Sequence, residues 1–391
     1  MWKSAFRIIL FWGVAISIMS CNWGSAREDD KALAPISAYF PKERISEERL
    51  TAYNDLFQPI LDKSGLNGSV LVALNGYIIY EYNGGHSNFG TRKTIDDSTL
   101  FQIASISKIF TAAAIMKLEE EGKLSIDDTV SKHLEDIIYK NITIRELLSH
   151  RTGIPRYEYY KNQFWDSVDS DYIDAVYNKL NQDSISLYFR PNSRFLYSNT
   201  GYVVLAKLIE KFAEESFETY IRRKLFEPAE MYNSFFITEL DSIEGYNIAK
   251  GYHSKRRKNP LMWQMNSLDM VLGDKSIYTN TKDLLSWYRA ISLGRILSEE
   301  SLEKIMDINT FSTNQNRGYG LGIRWKKVDD REFFYHNGRW NGFRSVFAYR
   351  PDTKLLVITL SNTSESAVRI SNTIIDAYDE KASPKPPIQG K

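Results

Sequence analysis

The chain has 391 residues, of which 43% are hydrophobic and 25% charged, enough apolar material for a sizeable core. Its net charge is +1, and without Lys3 and Arg7 it carries 48 basic against 49 acidic groups, a net −1. That balance argues against a nucleic-acid-binding protein, which needs a basic face.

Residues 1–21 read as an export signal. Lys3 and Arg7 precede an apolar run from Ile8 to Met19, shorter than the roughly 20 residues of a membrane span. Ile18-Met19-Ser20-Cys21 follows and resembles a bacterial lipobox, with Ile where Leu is commoner. Cys21 is the single cysteine of the chain. An exported lone thiol has no internal disulfide partner. Lipid attachment at Cys21 gives it a purpose, and ordinary cleavage near Ala26 is the alternative. The expected product is anchored by lipid in a bacterial cell envelope, facing the periplasm or the cell surface. Residues 22–45, with Pro35 and Pro41, read as a tether.

The domain is expected over 46–380. Glu47 to Lys63 is helical, with Leu50, Tyr53, Phe57 and Ile60 on one face and Pro59 able to shorten the last turn. Ser69 to Tyr82 reads as a hairpin around Asn75-Gly76. In Phe101-Gln102-Ile103-Ala104-Ser105-Ile106-Ser107-Lys108, a serine and a lysine stand three residues apart where an apolar helix begins. One helical turn puts both on one face. A hydroxyl beside an amine is the minimum for attack on an acyl carbon, provided the amine can give up its proton. Ser301-Leu302-Glu303-Lys304 has the same spacing but reads as a serine-capped helix start.

From about 125 to 309 the pattern is helices and long loops. Phe333 to His336, Phe343 to Tyr349 and Lys354 to Leu360 then read as strands, followed by a helix from Ser364 to Tyr378 and a disordered tail over 381–391. Strands at both ends with a helical block between predict an α+β fold: one antiparallel sheet built from both termini over 46–100 and 310–380, flanked by helices, with a large mostly helical insertion over 101–309. The cleft between the two parts is the expected ligand site. Tyr157, Tyr159, Tyr160, Phe164 and Trp165 crowd one loop and suit either a cleft wall or a satellite cluster. Lys255-Arg256-Arg257-Lys258 reads as a solvated loop. The five histidines have no paired metal-ligand spacing, and no phosphate or dinucleotide loop occurs, so no metal or cofactor is expected.

Three segments join the serine–lysine pair: Tyr197-Ser198-Asn199, His336-Asn337-Gly338, and Leu147-Leu148-Ser149-His150-Arg151-Thr152-Gly153. With Tyr319-Gly320-Leu321-Gly322, they resemble the serine β-lactamase and penicillin-binding protein superfamily, in its class C β-lactamase-like branch. The branch includes β-lactamases, D-alanyl-D-alanine carboxypeptidases, D-amino-acid peptidases and esterases. The resemblance implies a β-lactamase/transpeptidase-like fold and acyl transfer to water through a seryl ester.

It also implies roles. Ser105 is the nucleophile, Lys108 shares in its deprotonation, and Tyr197 is the general base that later activates water. Asn199 holds the lysine and contacts the substrate amide. His336, where class C β-lactamases have lysine, lies with Asn337 and Gly338 along the substrate, and Gly338 lets the substrate backbone approach. The backbone N–H groups of Ser105 and Arg339 form the oxyanion hole. Positive charge for Tyr197 would come from Lys108 and a protonated His336. His150 marks a turn. Gly273-Asp274-Lys275-Ser276 departs from the family's glycine-rich stretch and is expected at the cleft rim. The substrate would be a D-Ala-type peptide, a β-lactam or a small ester, peptidoglycan-derived or otherwise, met by a monomer. A silent peptidoglycan- or protein-binding lipoprotein is the non-enzymatic alternative.

Overall fold

In the computed structural model, which describes residues 34–382 except 42–43, 161, 169–170, 183–184, 254–259, 312–315 and 365–366, the two ends of the chain meet in one antiparallel sheet. Its strands are β1 (Gly68–Leu74), β2 (Tyr77–Gly84), β3 (Thr310–Phe311), β4 (Arg317–Tyr319), β5 (Arg324–Val328), β6 (Arg331–Trp340), β7 (Phe343–Arg350) and β8 (Leu355–Ser361). Their spatial order is β2-β1-β8-β7-β6-β5-β4-β3, and Gly68 of β1 lies opposite Ser361 of β8. Asn75 and Gly76 turn the first hairpin with φ of 51° and 80°, the left-handed pair a tight hairpin turn favours.

The four longest described helices are α1 (Glu47–Ser64), α2 (Ser107–Glu120), α3 (Thr200–Ala213) and α4 (Ala367–Ala382). β1 and β8 are buried almost end to end because both their faces are covered. Val70, Val72 and Val357 join Tyr53, Phe57, Ile370 and Ile374 of α1 and α4 on one face. Leu71, Ala73, Leu356 and Ile358 face the larger core of the helical part. α2 is buried from Phe110 through Met116 and again at Leu118, which makes it the central helix of that core.

Several expected boundaries shift. The buried face of α1 is Tyr53, Phe57 and Leu61, whereas Leu50 is exposed. Pro59 sits on the solvent side, where the carbonyl it leaves unpaired meets water, and α1 continues to Ser64. The expected tether over 22–45 is wrong at its end. Ile36 opens a short helix, is 1% exposed, and donates its N–H to Glu230 Oε1 at 2.7 Å. At the other end α4 runs through Ala382, so Lys381 and Ala382 are helical rather than part of the expected tail. Ser298 caps the helix Glu299–Met306 by accepting from the Ser301 N–H, the helix start expected there. Cys21 and its leader, the Lys255–Lys258 run and residues 383–391 lie outside the described residues. No described helix is long and apolar enough to cross a membrane.

Candidate active site

A short strand delivers the nucleophile. Phe101 and Gln102 pair with Thr279 and Tyr278, and the Ile103 N–H donates to the Ile277 carbonyl at 3.0 Å. The chain then turns at Ala104, whose φ of 49° is left-handed although it carries a Cβ. Such a conformation stores about 1–3 kcal/mol and persists where its surroundings fix it. The turn leaves Ser105 half-buried, between buried Ala104 and Ile106, at the head of α2.

Lys108 is fully buried one turn on. Its Nζ lies 3.3 Å from Ser105 Oγ and donates to the Asp274 carbonyl at 2.8 Å. The expected partner, Asn199, does not hold it: Asn199 Nδ2 donates to Glu158 Oε1 at 2.7 Å. The Tyr197 ring meets Lys108 Nζ 5.1 Å from its centroid and the Arg324 guanidinium carbon at 5.0 Å. Its hydroxyl is buried without a protein partner among the described residues. Lys108 therefore connects the serine to the tyrosine.

Beneath Tyr197 runs a chain of hydrogen bonds. The Ser198 N–H lies 3.3 Å from His150 Nδ1, and the Tyr319 hydroxyl is 3.1 Å from Nε2 of both His150 and His336. His336 Nδ1 is 3.0 Å from the Asn337 carbonyl. An amide N–H only donates and a carbonyl only accepts, so one polarity satisfies every atom. His150 accepts at Nδ1 and donates from Nε2 to Tyr319, and Tyr319 donates to His336, which donates from Nδ1. Both imidazoles are then neutral. Burial, followed by the charges of Lys108 and Arg324, holds both well below the usual imidazole value.

This overturns the protonated His336. It is also 0% exposed, with both ring nitrogens engaged, so it supports Tyr319 rather than lying along a substrate. The second cation at Tyr197 is Arg324, which no motif marked. Its one signal is its place on β5, five residues beyond Tyr319, opposite Tyr335. His150 does form the expected turn, with φ of 59° after the helix Ile144–Leu148, and its ring packs tilted against Tyr197, with the ring centroids 4.2 Å apart.

Gly338 has a different reason from the expected one. A Cβ there would lie 1.9 Å from Ser345 Oγ and 2.1 Å from the Ile103 carbonyl oxygen. The missing side chain lets β6 approach the turn that carries Ser105, and Ser345 Oγ donates to that same carbonyl at 2.7 Å. Asn337 is half-buried and Arg339 exposed.

Asp274 and Lys275 are not rim residues; they are 0% and 1% exposed. The Tyr157 hydroxyl donates to Asp274 Oδ2 at 2.9 Å, and Lys275 Nζ donates to that hydroxyl and lies 3.3 Å from Asp274 Oδ1. Lys275 also stands 4.9 Å from the Trp340 ring centroid, and Trp340 Nε1 donates to Asp269. Burial pulls the Lys275 ammonium down, with Asp274 opposing, and pushes the Tyr157 phenol up. Within the aromatic loop, Tyr157 is thus part of the site wall while Tyr159 is exposed.

The same architecture recurs in known proteins. A beta-lactamase family model matches residues 53–378. Penicillin-binding protein 4* of Bacillus subtilis (strain 168) is 31% identical over 324 residues, 79% of this chain and 71% of that relative. The octameric penicillin-binding protein homologue from Pyrococcus abyssi superposes with a TM-score of 0.73 at 26% identity, over 85% of this chain and 77% of that one. D-amino acid amidase from Ochrobactrum anthropi SV3, complexed with L-phenylalanine amide, shares the fold with a TM-score of 0.71 at 22% identity, over 85% of this chain and all of that one. With a match that spans most of its length and a β-lactamase/transpeptidase-like fold, the chain belongs to the beta-lactamase family of serine hydrolases.

Proposed function

We propose that this protein hydrolyses an amide or ester through a seryl ester on Ser105, in the manner of the class C-like branch. The observation that carries this is Lys108 Nζ, placed between Ser105 Oγ at 3.3 Å and the Tyr197 ring at 5.1 Å. Ser105 Oγ attacks the acyl carbon and its proton passes to the Lys108–Tyr197 pair. The developing oxyanion is held by the backbone N–H groups of Ser105 and Arg339, each worth about 3–4 kcal/mol by analogy with other oxyanion holes. The pair returns the proton to the leaving group, and the C–N or C–O bond breaks. Water activated by Tyr197 then cleaves the seryl ester. Lys108 and Arg324 both stand against the Tyr197 ring, so negative charge that develops on its oxygen during proton transfer is met by two basic groups.

His336, buried and neutral in place of the class C lysine, offers no charge to a substrate carboxylate, which leaves a peptide or ester at least as well suited as a β-lactam. Asn199, Asn337 and Arg339 line the substrate path in this reading. The protein acts as a monomer, anchored by lipid at Cys21 in the cell envelope, with D-Ala-type or other peptidoglycan-derived peptides among its candidate substrates.

The test is active-site labelling of the purified chain with a fluorophosphonate and a fluorescent penicillin. Fluorophosphonate labelling is expected in the wild type and absent in Ser105→Ala. A folded wild type that neither reagent labels sinks the proposal in favour of a binding module. Diacylglyceryl mass on Cys21 checks the anchor.

A further inference from the structure

Packing behind the nucleophile helix leaves a space. Between α2, the helix Thr281–Ser292, the helix Glu299–Met306 and strands β6 and β7 lies a partly open recess of about 100 Å³. The rings of Trp287, Tyr288, Phe334, Phe347 and Tyr349 stand around it, and Ile109 and Ala113 of α2 complete the wall. Among the described residues, no charged side chain lines it. Its hydroxyls are already engaged. Ser292 Oγ donates to the Tyr288 carbonyl at 2.8 Å, and the Tyr288 and Tyr349 hydroxyls bond one another.

These walls decide what the recess can take up. A buried water needs about two to four polar partners, whereas an engineered apolar cavity of about 150 Å³ stays dry and binds benzene. Left empty, the space costs its wall atoms their dispersion contacts. The surrounding rings add offset and edge-to-face contacts that favour an aromatic guest over an aliphatic one. A carboxylate or an ammonium would find nothing there to offset its loss of hydration.

The recess shares its walls with the acyl-transfer machinery. Ile109 follows Lys108 in α2, and Phe347 stands opposite His336 across β6 and β7. The Leu321 N–H donates to the Ile305 carbonyl at 3.0 Å, and a Cβ on Gly322 would lie 2.5 Å from the Ala112 Cβ and 3.1 Å from the Lys108 carbonyl oxygen. The segment that follows Tyr319 is therefore pressed against the backbone of Lys108. A bound ring keeps its contacts only while these walls stand apart as they do here. Binding then favours this arrangement over one in which α2 or Leu321 closes on the empty space. It is the arrangement in which Lys108 Nζ lies 3.3 Å from Ser105 Oγ.

We propose that the recess binds an uncharged molecule with a single aromatic ring, and that its occupancy raises the reactivity of Ser105. The effect on rate rests on the acyl-enzyme reading of Ser105, whereas the binding does not.

The experiment titrates benzene calorimetrically into the full-length chain, beside benzylamine and benzoate. Benzene is expected to bind, and the two charged rings at least about 10-fold more weakly. Ala113→Leu fills the recess from α2 and should weaken benzene binding by about 10-fold or more. Leu302→Trp fills it from the helix Glu299–Met306 and decides the matter if the first variant does not fold. Saturating benzene is expected to raise the rate of fluorophosphonate labelling of the wild type roughly 5-fold, the lower end of coupling between two sites, and to leave the rate of a filled variant unchanged. No binding of benzene, equal binding of the charged rings, binding that survives in a folded filled variant, or a labelling rate that does not rise overturns the proposal. Failure of the acyl-enzyme reading shows separately, as a folded wild type that binds benzene but takes up no fluorophosphonate.

Discussion

Lys108 Nζ donates to the main-chain carbonyl of Asp274 at 2.8 Å, and the carboxylate of that same Asp274 faces Lys275 at 3.3 Å. One residue thus fixes the site lysine through its backbone and neutralises a second buried lysine through its side chain. The peptide that orients Lys108 stays in place because Tyr157, Lys275 and Asp274 form a closed polar group in the wall.

Asp274→Asn keeps that carbonyl but strands Lys275 in the interior. Breaking a buried pair in this way costs about 3–5 kcal/mol, to be read from urea unfolding. The double variant Asp274→Asn, Lys275→Met removes both charges and should recover most of the loss. If the double variant is as unstable as the single one, the ion pair is not what holds the wall.

Gly338→Ala places a Cβ against Ser345 Oγ and the Ile103 carbonyl, so either β6 or the Ser105 turn must move. Overpacking of this kind destabilises by about 1–3 kcal/mol. The rate of fluorophosphonate labelling should fall with it, because Ile103 is two residues from the nucleophile. Full labelling at wild-type rate would show that the close approach does not set the position of Ser105.

His150 and His336 are held below the unfolded imidazole value of about 6.5. The unfolded chain therefore binds protons that the native sites refuse. Their contribution is complete above about pH 6.5 and is lost as pH falls below it, at up to about 1.4 kcal/mol per pH unit for each group. Glu210, pushed up to about 7 by burial, works in the opposite sense in the same range. The difference between variants isolates the histidines: His336→Asn should flatten the acid-side slope of unfolding free energy between pH 6.5 and 5. Imidazole 15N shifts should show both rings neutral at pH 6; a titration of either near 6.5 contradicts the hydrogen-bond chain.

Arg324 faces the Tyr197 ring without a carboxylate or hydrogen-bond partner among the described residues. Arg324→Gln removes its charge while keeping much of its length. A cation–π contact of about 0.5–2 kcal/mol corresponds to a loss of roughly 2- to 30-fold in kcat/KM on a p-nitrophenyl ester. Arg324→Lys should recover part of it. Equal rates in all three proteins would remove Arg324 from the account of Tyr197.

The sequence determined a good deal by itself. Short apolar strand runs near both ends of the domain specified the sheet, Asn75-Gly76 specified its first hairpin, and the ordered serine–lysine, Tyr-x-Asn and His-x-Gly segments marked the site's three walls. These features are local, because periodicity and turn preference act within a few residues. The tertiary structure alone decided the charges and partners. His336 is neutral because β5, β6 and the loop at His150 bury it with Tyr319. Arg324 supplies the missing cation from a strand with no motif, and the main-chain carbonyl of Asp274, 166 positions from Lys108, holds the lysine in place of the expected Asn199. Burial, and the approach of groups far apart in the chain, fix protonation and hydrogen-bond choice, and neither quantity exists until the chain has folded.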